Sequence, residues 1–338
     1  MKKKIVAMLS VLMIASFAIF VTAAPSSKEI PIPKSVYKYS VAGGSIGGNF
    51  YVFGGAIAQI LNNHLPKYFL FTAEATGGGT ANLTMIENGD AELGIAMTSS
   101  LYEAVRGEGE WTAGKKYTKL RGIAPLYPSW LTIYTLRTSG IKSLKDFNGK
   151  RIGLGSRGAS MNSIFRQFLA DEKIVPAQIH NDGHGATATA LNNGVIDAAL
   201  LFSYPPFPAI AELESSKELY FVPLTSKEQN DLVKKYPFYS KDAIPAGSYK
   251  GTPKDVPGVS EWNLLVGSSD IPEDLAYLIT KTLFENQADL VAVHNSAKYM
   301  TPANESKFNI PLHAGTVRYL KEIGVKVPKH LIPPEYKD

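Results

Sequence analysis

The sequence predicts an α/β protein built from two similar lobes. Three observations carry that expectation. Two stretches of the chain share one plan, each plan contains a glycine-rich loop between a strand and a helix, and each ends a helix at Asn-Gly ahead of an acid and a short apolar run.

The first stretch opens with a strand through Tyr39–Ala42, the loop Gly43–Gly48 and a helical pattern from about Phe50 to Asn63. A strand at Tyr68–Glu74, the loop Gly77–Gly79 and a helix ending at Asn88-Gly89 complete it. The second stretch runs from Lys150 through the loop Gly153–Gly158 to a helix over Met161–Glu172, a short strand near Gln178–Asn181, the loop Asp182–Gly185 and a helix ending at Asn193-Gly194. Asn-Gly favours the left-handed conformation that stops a helix. The acid that follows, Glu92 or Asp197, precedes an apolar run that reads as a buried parallel strand. Each stretch is therefore β-α-β-α-β.

A long strand over Ala124–Arg137, interrupted by Pro128, joins the lobes. After Leu219–Pro223 the chain turns irregular and proline-rich, and a second strand, Ser260–Gly267, returns. Two crossovers make a hinge. Asp270 is placed as the N-cap of an amphipathic helix over Leu275–Asn286, with Pro272 in its first turn. A terminal helix spans Thr316–Ile323. The expected division is 24–128 plus 228–338 for lobe one and 129–227 for lobe two.

Residues 1–23 read as an export signal. Lys2, Lys3 and Lys4 precede an apolar run from Ile5 to about Val21, and Val21 and Ala23 supply small residues for a cut after Ala23. A run of about 17 apolar residues is also long enough to serve as an uncleaved anchor. The whole chain holds 35 basic and 30 acidic side chains, and removing three lysines leaves a net charge of about +2, which is no nucleic-acid footprint. The chain has no cysteine. That excludes disulfides, thiol chemistry and a lipid-modified cysteine. The expectation is a free periplasmic protein.

Several local patterns carry two readings. Both glycine loops present backbone N–H groups and a helix N-terminus, a setting suited to carboxylate or phosphate, although each is also an ordinary tight turn. Gly43-x-Ser45-x-Gly47 fits a hydrolase nucleophile elbow, but only about twenty residues of the exported chain precede Ser45, too few for the strands such an elbow follows. Gly153-x-Gly155-x-x-Gly158 matches the dinucleotide pattern formally, with Asp182 near the distance of a ribose-binding acid. His180 and His184 flank Asp182 like a metal pair, yet Gly183 argues for a loop whose rings need not converge. The reading therefore expects no metal, no cofactor and no catalysis.

The candidate ligand contacts follow from position. Tyr51 falls in the first turn after loop one, where a ring covers an aliphatic body or simply packs in the core. Asn82 lies three residues beyond Gly79. Thr98 and Ser99 end the strand after Glu92, and Ser203 ends its counterpart at Ala198–Phe202, at the strand ends that line clefts in open α/β sheets.

Taken in order, the segments Gly44–Gly55 (GSIGGNFYVFGG), Glu74–Leu83 (EATGGGTANL), Asn88–Gly94 (NGDAELG), Leu144–Ile152 (LKDFNGKRI), Asn193–Ala199 (NGVIDAA), Ile244–Tyr249 (IPAGSY) and Pro311–Gly315 (PLHAG) resemble the TAXI family of TRAP-transporter solute-binding proteins across nearly the whole exported chain. The resemblance implies a type II periplasmic-binding-protein fold with the ligand in the interlobe cleft. It also implies delivery of a glutamate-like or dicarboxylate anion to an ion-driven TRAP permease. It places Ser45, Tyr51, Thr76, Asn82 and the loop Ser156–Ser160 at ligand-contacting positions. The loop departs from the family, with Ala159, Ser160 and Met161 where a Gly-Ser-Gly-Thr-Glu-like run is common. Arg157 beside it is placed either as a bidentate carboxylate partner or as an exposed lip residue. The expected state is a monomer that binds no nucleic acid; a periplasmic enzyme or a ligand sensor on the same fold is the alternative.

Overall fold

The computed structural model describes residues 35–44, 46, 48–156 and 160–337. The expected signal segment lies outside them. The chain first builds β1 (Tyr37–Ala42), α1 (Asn49–His64), β2 (Phe69–Glu74), α2 (Gly79–Asn88), β3 (Leu93–Met97) and α3 (Thr98–Arg106). The long β4 (Leu120–Leu136) follows, then β5 (Arg151–Gly153), α4 (Ser160–Asp171), β6 (Gln178–His180), α5 (His184–Asn192) and β7 (Ala198–Ser203). The remainder comprises α6 (Pro208–Ser216), β8 (Leu219–Phe221), α7 (Ser226–Lys235), β9 (Ser240–Ile244), β10 (Val256–Ser268), α8 (Glu273–Glu285), α9 (Gln287–Val293) and α10 (Ala314–Glu322).

The two halves repeat one topology. β1 pairs in parallel with both β2 and β3, and β5 pairs in parallel with both β6 and β7. The helix stops match as well. After α2, Gly89 adopts φ 84° and the N–H groups of Gly89 and Asp90 return to the carbonyls of Ile86 and Met85. After α5, Gly194 adopts φ 66° and the N–H groups of Gly194 and Val195 return to Leu191 and Ala190. The acids have equivalent partners. Glu92 Oε2 accepts the N–H of Ser40 at 2.7 Å, and Asp197 Oδ2 accepts the N–H of Arg151 at 2.8 Å. Ser40 and Arg151 each precede the residue that faces the start of the third strand, Val41 opposite Leu93 and Ile152 opposite Ala198. The acid after Asn-Gly thus ties the first strand of each half to its third.

β4 and β10 connect the halves. β4 runs antiparallel to β10 from Leu120 to Trp130 and then to β7 from Trp130 to Thr135. β10 pairs with β9 through Val256–Ser260 and with β3 through Asn263–Gly267. The result is a ten-stranded mixed sheet whose main path runs β2-β1-β3-β10-β4-β7-β5-β6, with β8 on β4 and β9 on β10 off that path, the arrangement of the type II periplasmic-binding-protein fold, with two crossover strands between two α/β lobes. The break expected at Pro128 is absent. Pro125 and Pro128 sit where β7 has not yet joined β4, and the pairing with β10 shifts register beside Pro125, so neither missing N–H disrupts a central ladder.

Two other local expectations need correction. Thr98, Ser99 and Ser100 do not end a strand; they form the first turn of α3. Asp270 does not cap α8, whose N-cap is Pro272; its carboxylate instead pairs with Lys119 Nζ at 2.7 Å.

Among the described residues, separate apolar clusters fill the core, one of them around Trp130, Tyr134, Leu201 and Phe221. Leu83, Ile86, Leu101, Leu264, Val317 and Leu320 pack together on the side of the first half. Ile152, Phe165, Phe168 and Leu200 pack on the other side, and Leu232, Tyr239 and Val259 join them. The return segment through α7 and β9 thus packs with the second half, although the sequence division places 228–259 with the first.

Candidate functional site

A cavity of about 770 Å³ opens between the halves. Its walls are helix beginnings. Gly48, Asn49 and Phe50 come from the start of α1, Gly78, Gly79 and Thr80 from α2, and Ser99 and Ser100 from α3. Across from them stand Ser160 and Met161 of α4, Gly183–Ala186 at α5, and Phe207–Ala209 at α6. The topology produces this convergence, because each of these helices begins at or just beyond the carboxyl end of a strand.

The electrostatics follow from what these turns lack. None of α1, α2, α3, α5 and α6 has an acidic residue in its first turn or a cap from its own N-cap side chain, but the Ser99 N–H in the first turn of α3 is taken by Glu261 Oε2. The partial positive charge of the α1, α2, α5 and α6 N-termini is left for whatever enters the cavity. Among the described lining residues there is no Asp, Glu, Lys or Arg. His184, packed edge-on against Phe207 with ring centroids 5.9 Å apart, is pushed below its ordinary pKa by burial, which keeps its ring neutral.

Behind the wall lie two acids. Glu261 of β10 is 1% exposed, and its Oε2 accepts the N–H of Ser99 at 3.0 Å. Burial pushes its carboxyl up to about 7. Glu103 of α3 accepts Ser160 Oγ and Trp111 Nε1, both at 2.7 Å, and burial raises its pKa as well. Ser100 and Ser160 hydroxyls lie 3.2 Å apart, so α3 and α4 meet across the cavity through a serine pair and one carboxylate. The floor comes from the crossover strands, where Asn263 Nδ2 donates to Tyr127 O at 3.0 Å and to Ser129 Oγ at 2.8 Å.

Of the sequence-derived candidates, Ser99, Ser160 and Ser203 line the cavity. Ser45, Arg157 and Ala159 lie outside the described residues. The other four are elsewhere. Tyr51 is on α1 but 36% exposed and off the cavity wall. Asn82 is fully buried and turned into the protein, with Nδ2 donating to Gly43 O (2.5 Å) and Ile95 O (2.7 Å) and Oδ1 accepting Thr76 Oγ1 (2.5 Å). Thr76 is therefore spent on Asn82 and on the N–H of Gly78. Thr98 is buried against Glu261 and accepts the N–H of Trp262. These residues shape the two glycine loops and the start of α3 from behind. His180 ends β6, while His184, expected in a loop, starts α5. Among the described residues no group of His, Cys, Asp and Glu is arranged to hold a metal.

The sequence reading missed Tyr127, Ser129, Asn263, Phe202, Phe207 and Met97. Ser129 and Asn263 had a signal, as polar residues at buried positions of two long strands.

Strand order and cavity define a two-lobed α/β binding fold of type II. A family model for the NMT1-like family matches residues 41–324, and the chain belongs to that family. Among solved structures, it is similar to a probable amino-acid ABC transporter extracellular-binding protein from Bacillus subtilis, at 14% identity over 77% of this chain and 96% of that one, with a TM-score of 0.46. A putative L-cystine ABC transporter from Listeria monocytogenes is 14% identical over 79% of this chain and 99% of that one (TM-score 0.48). The alkanesulfonate-binding protein of Xanthomonas axonopodis pv. citri, bound to MOPS, is 13% identical over 86% and 85% (TM-score 0.44).

Proposed function

We propose that this protein is a periplasmic solute-binding protein that captures a small organic anion in the interlobe cavity and delivers it to a membrane transporter without transforming it. The observation that carries the reading is the ring of helix N-termini around one cavity, free of acidic first-turn residues and of caps from their own N-cap side chains. Several N-termini aimed at one volume favour negative charge there without any fixed cation. The TAXI resemblance supports a TRAP-type permease as the recipient, and the export signal supports the periplasm.

In this reading lobe one comprises residues 35–128 with the segment after β10, and lobe two runs from 129 to about 259, following the core contacts of Leu232, Tyr239 and Val259. The lobes rotate about β4 and β10 and close on the anion. Ser99, Ser160 and Ser203 contact it.

Thermal unfolding against a panel of carboxylates, dicarboxylates and sulfonates tests this. A ligand at 100 times its Kd adds about 2.7 kcal/mol of stability, and one chemical class should raise Tm by several degrees. A panel without a single stabilising anion removes the proposal. Arg157→Ala is expected to weaken a dicarboxylate at least tenfold, about 1.4 kcal/mol, while sparing a monocarboxylate; equal losses in calorimetric Kd make Arg157 a bystander.

A further inference from the structure

An anion site leaves the rest of the ligand open, and the walls of the cavity constrain it. An amino acid brings an ammonium together with its carboxylate, and burying an ammonium is costly unless a counter-charge pairs with it. The two acids nearest the cavity are spent behind its wall, Glu261 on the N–H of Ser99 and Glu103 on Ser160 Oγ and Trp111 Nε1. Neither lines the cavity, nor does any other Asp or Glu among the described residues. The sequence has no acid at 45, 47 or 157–159 either. The serine hydroxyls offer acceptors but no charge. The lining is also rich in apolar side chains, with Phe50, Met161 and Phe207 at the helix starts and Met97, Tyr127 and Phe202 on the strands all bordering the same volume.

We infer that the ligand is an organic anion without an amino group, carrying an aromatic or branched apolar body; this rests on the anion reading above. An ammonium in the cavity meets the positive ends of α1, α2, α5 and α6 and finds no carboxylate among the described lining residues to pair with. A keto or hydroxyl oxygen in the same place accepts from a serine or from a helix N–H and pays no such penalty. The aromatic and methionine side chains bury a hydrocarbon body and gain nothing from a short polar one. The cavity selects by what it withholds from a cation as well as by what it offers an anion.

Matched pairs test the inference directly. The protein, freed of bound ligand, is titrated calorimetrically with 4-methyl-2-oxopentanoate and leucine, phenylpyruvate and phenylalanine, 2-oxoglutarate and glutamate, and ethanesulfonate and taurine. In every pair that binds, the member without the amine should bind at least about tenfold tighter. Phenylpyruvate should likewise exceed pyruvate. An amino acid that binds as tightly as its partner, or tighter, overturns the inference and leaves anion capture standing. Equal affinity for pyruvate and phenylpyruvate overturns the apolar body. If no member of any pair binds, the anion reading itself is overturned, and this inference with it.

Discussion

Asn82→Ala should lower the Tm of the unliganded protein by roughly 6 °C, corresponding to about 3 kcal/mol at about 2 °C per kcal/mol for a chain of this size. The side chain is fully buried and joins three segments, bonding Gly43 O, Ile95 O and Thr76 Oγ1 at once. Truncation leaves two carbonyls and a hydroxyl without this partner, and each buried polar group left unpaired costs about 1–3 kcal/mol. Some relaxation and water entry keep the total near the lower end. Ligand affinity should fall as well, because Gly43 and Thr76 anchor the loops before α1 and α2. The order of effects discriminates the roles. A residue that touched only the ligand would lose affinity and leave the unliganded Tm alone. A Tm change below about 1 °C in the absence of ligand therefore defeats the positioning role.

This residue also shows where sequence reasoning reaches and where it stops. Asn82 stands three residues past a glycine loop, and by position alone its amide has two options, outward to a ligand or inward to the backbone. The amide turns inward onto the carbonyls of Gly43 and Ile95, and Gly94 on β3 lets α2 come that close, since an added Cβ would lie 3.1 Å from that of Asn82. That contact joins two segments, and no local pattern announces it. The repeated half was legible because its signals are local: Asn-Gly stops a helix, the acid ties adjacent strands, and a short apolar run fills a parallel strand. α7 was equally local and still missed, since Thr225 and Glu228 form a capping box in a stretch otherwise read as an irregular return. The start of α3 misled for a physical reason, as Thr98, Ser99 and Ser100 are weak helix formers directly after an apolar strand. The cavity floor lay beyond reach. Tyr127 and Asn263 face each other only through the antiparallel register of β4 and β10. Helix N-termini converge on one volume only once the strand order is known.

Glu261→Gln should change the pH dependence of stability more than it changes stability at any one pH. The native carboxyl titrates near 7, raised chiefly by burial and further by the charge of Glu103, against an ordinary value of 4.5. Below pH 4.5 the group is protonated in both folded and unfolded chains and contributes no difference. Between 4.5 and 7 the unfolded chain releases this proton while the native protein keeps it. Stability therefore falls with rising pH across that window, and above 7 the full loss of about 3 kcal/mol is in place. A glutamine has no proton to lose, so the variant lacks this contribution at every pH. Glu305, also raised by burial, remains in both proteins and cancels in the difference. Denaturant unfolding of both proteins at pH 5 and pH 8 gives the measurement, with the variant gaining about 2–3 kcal/mol on wild type between the two. Parallel pH profiles would mean that Glu261 is already ionised in the native protein. Its negative charge would then stand behind Ser99 at the edge of the anion site and oppose the field of the α3 N-terminus, the reverse of what a cavity built for anions requires.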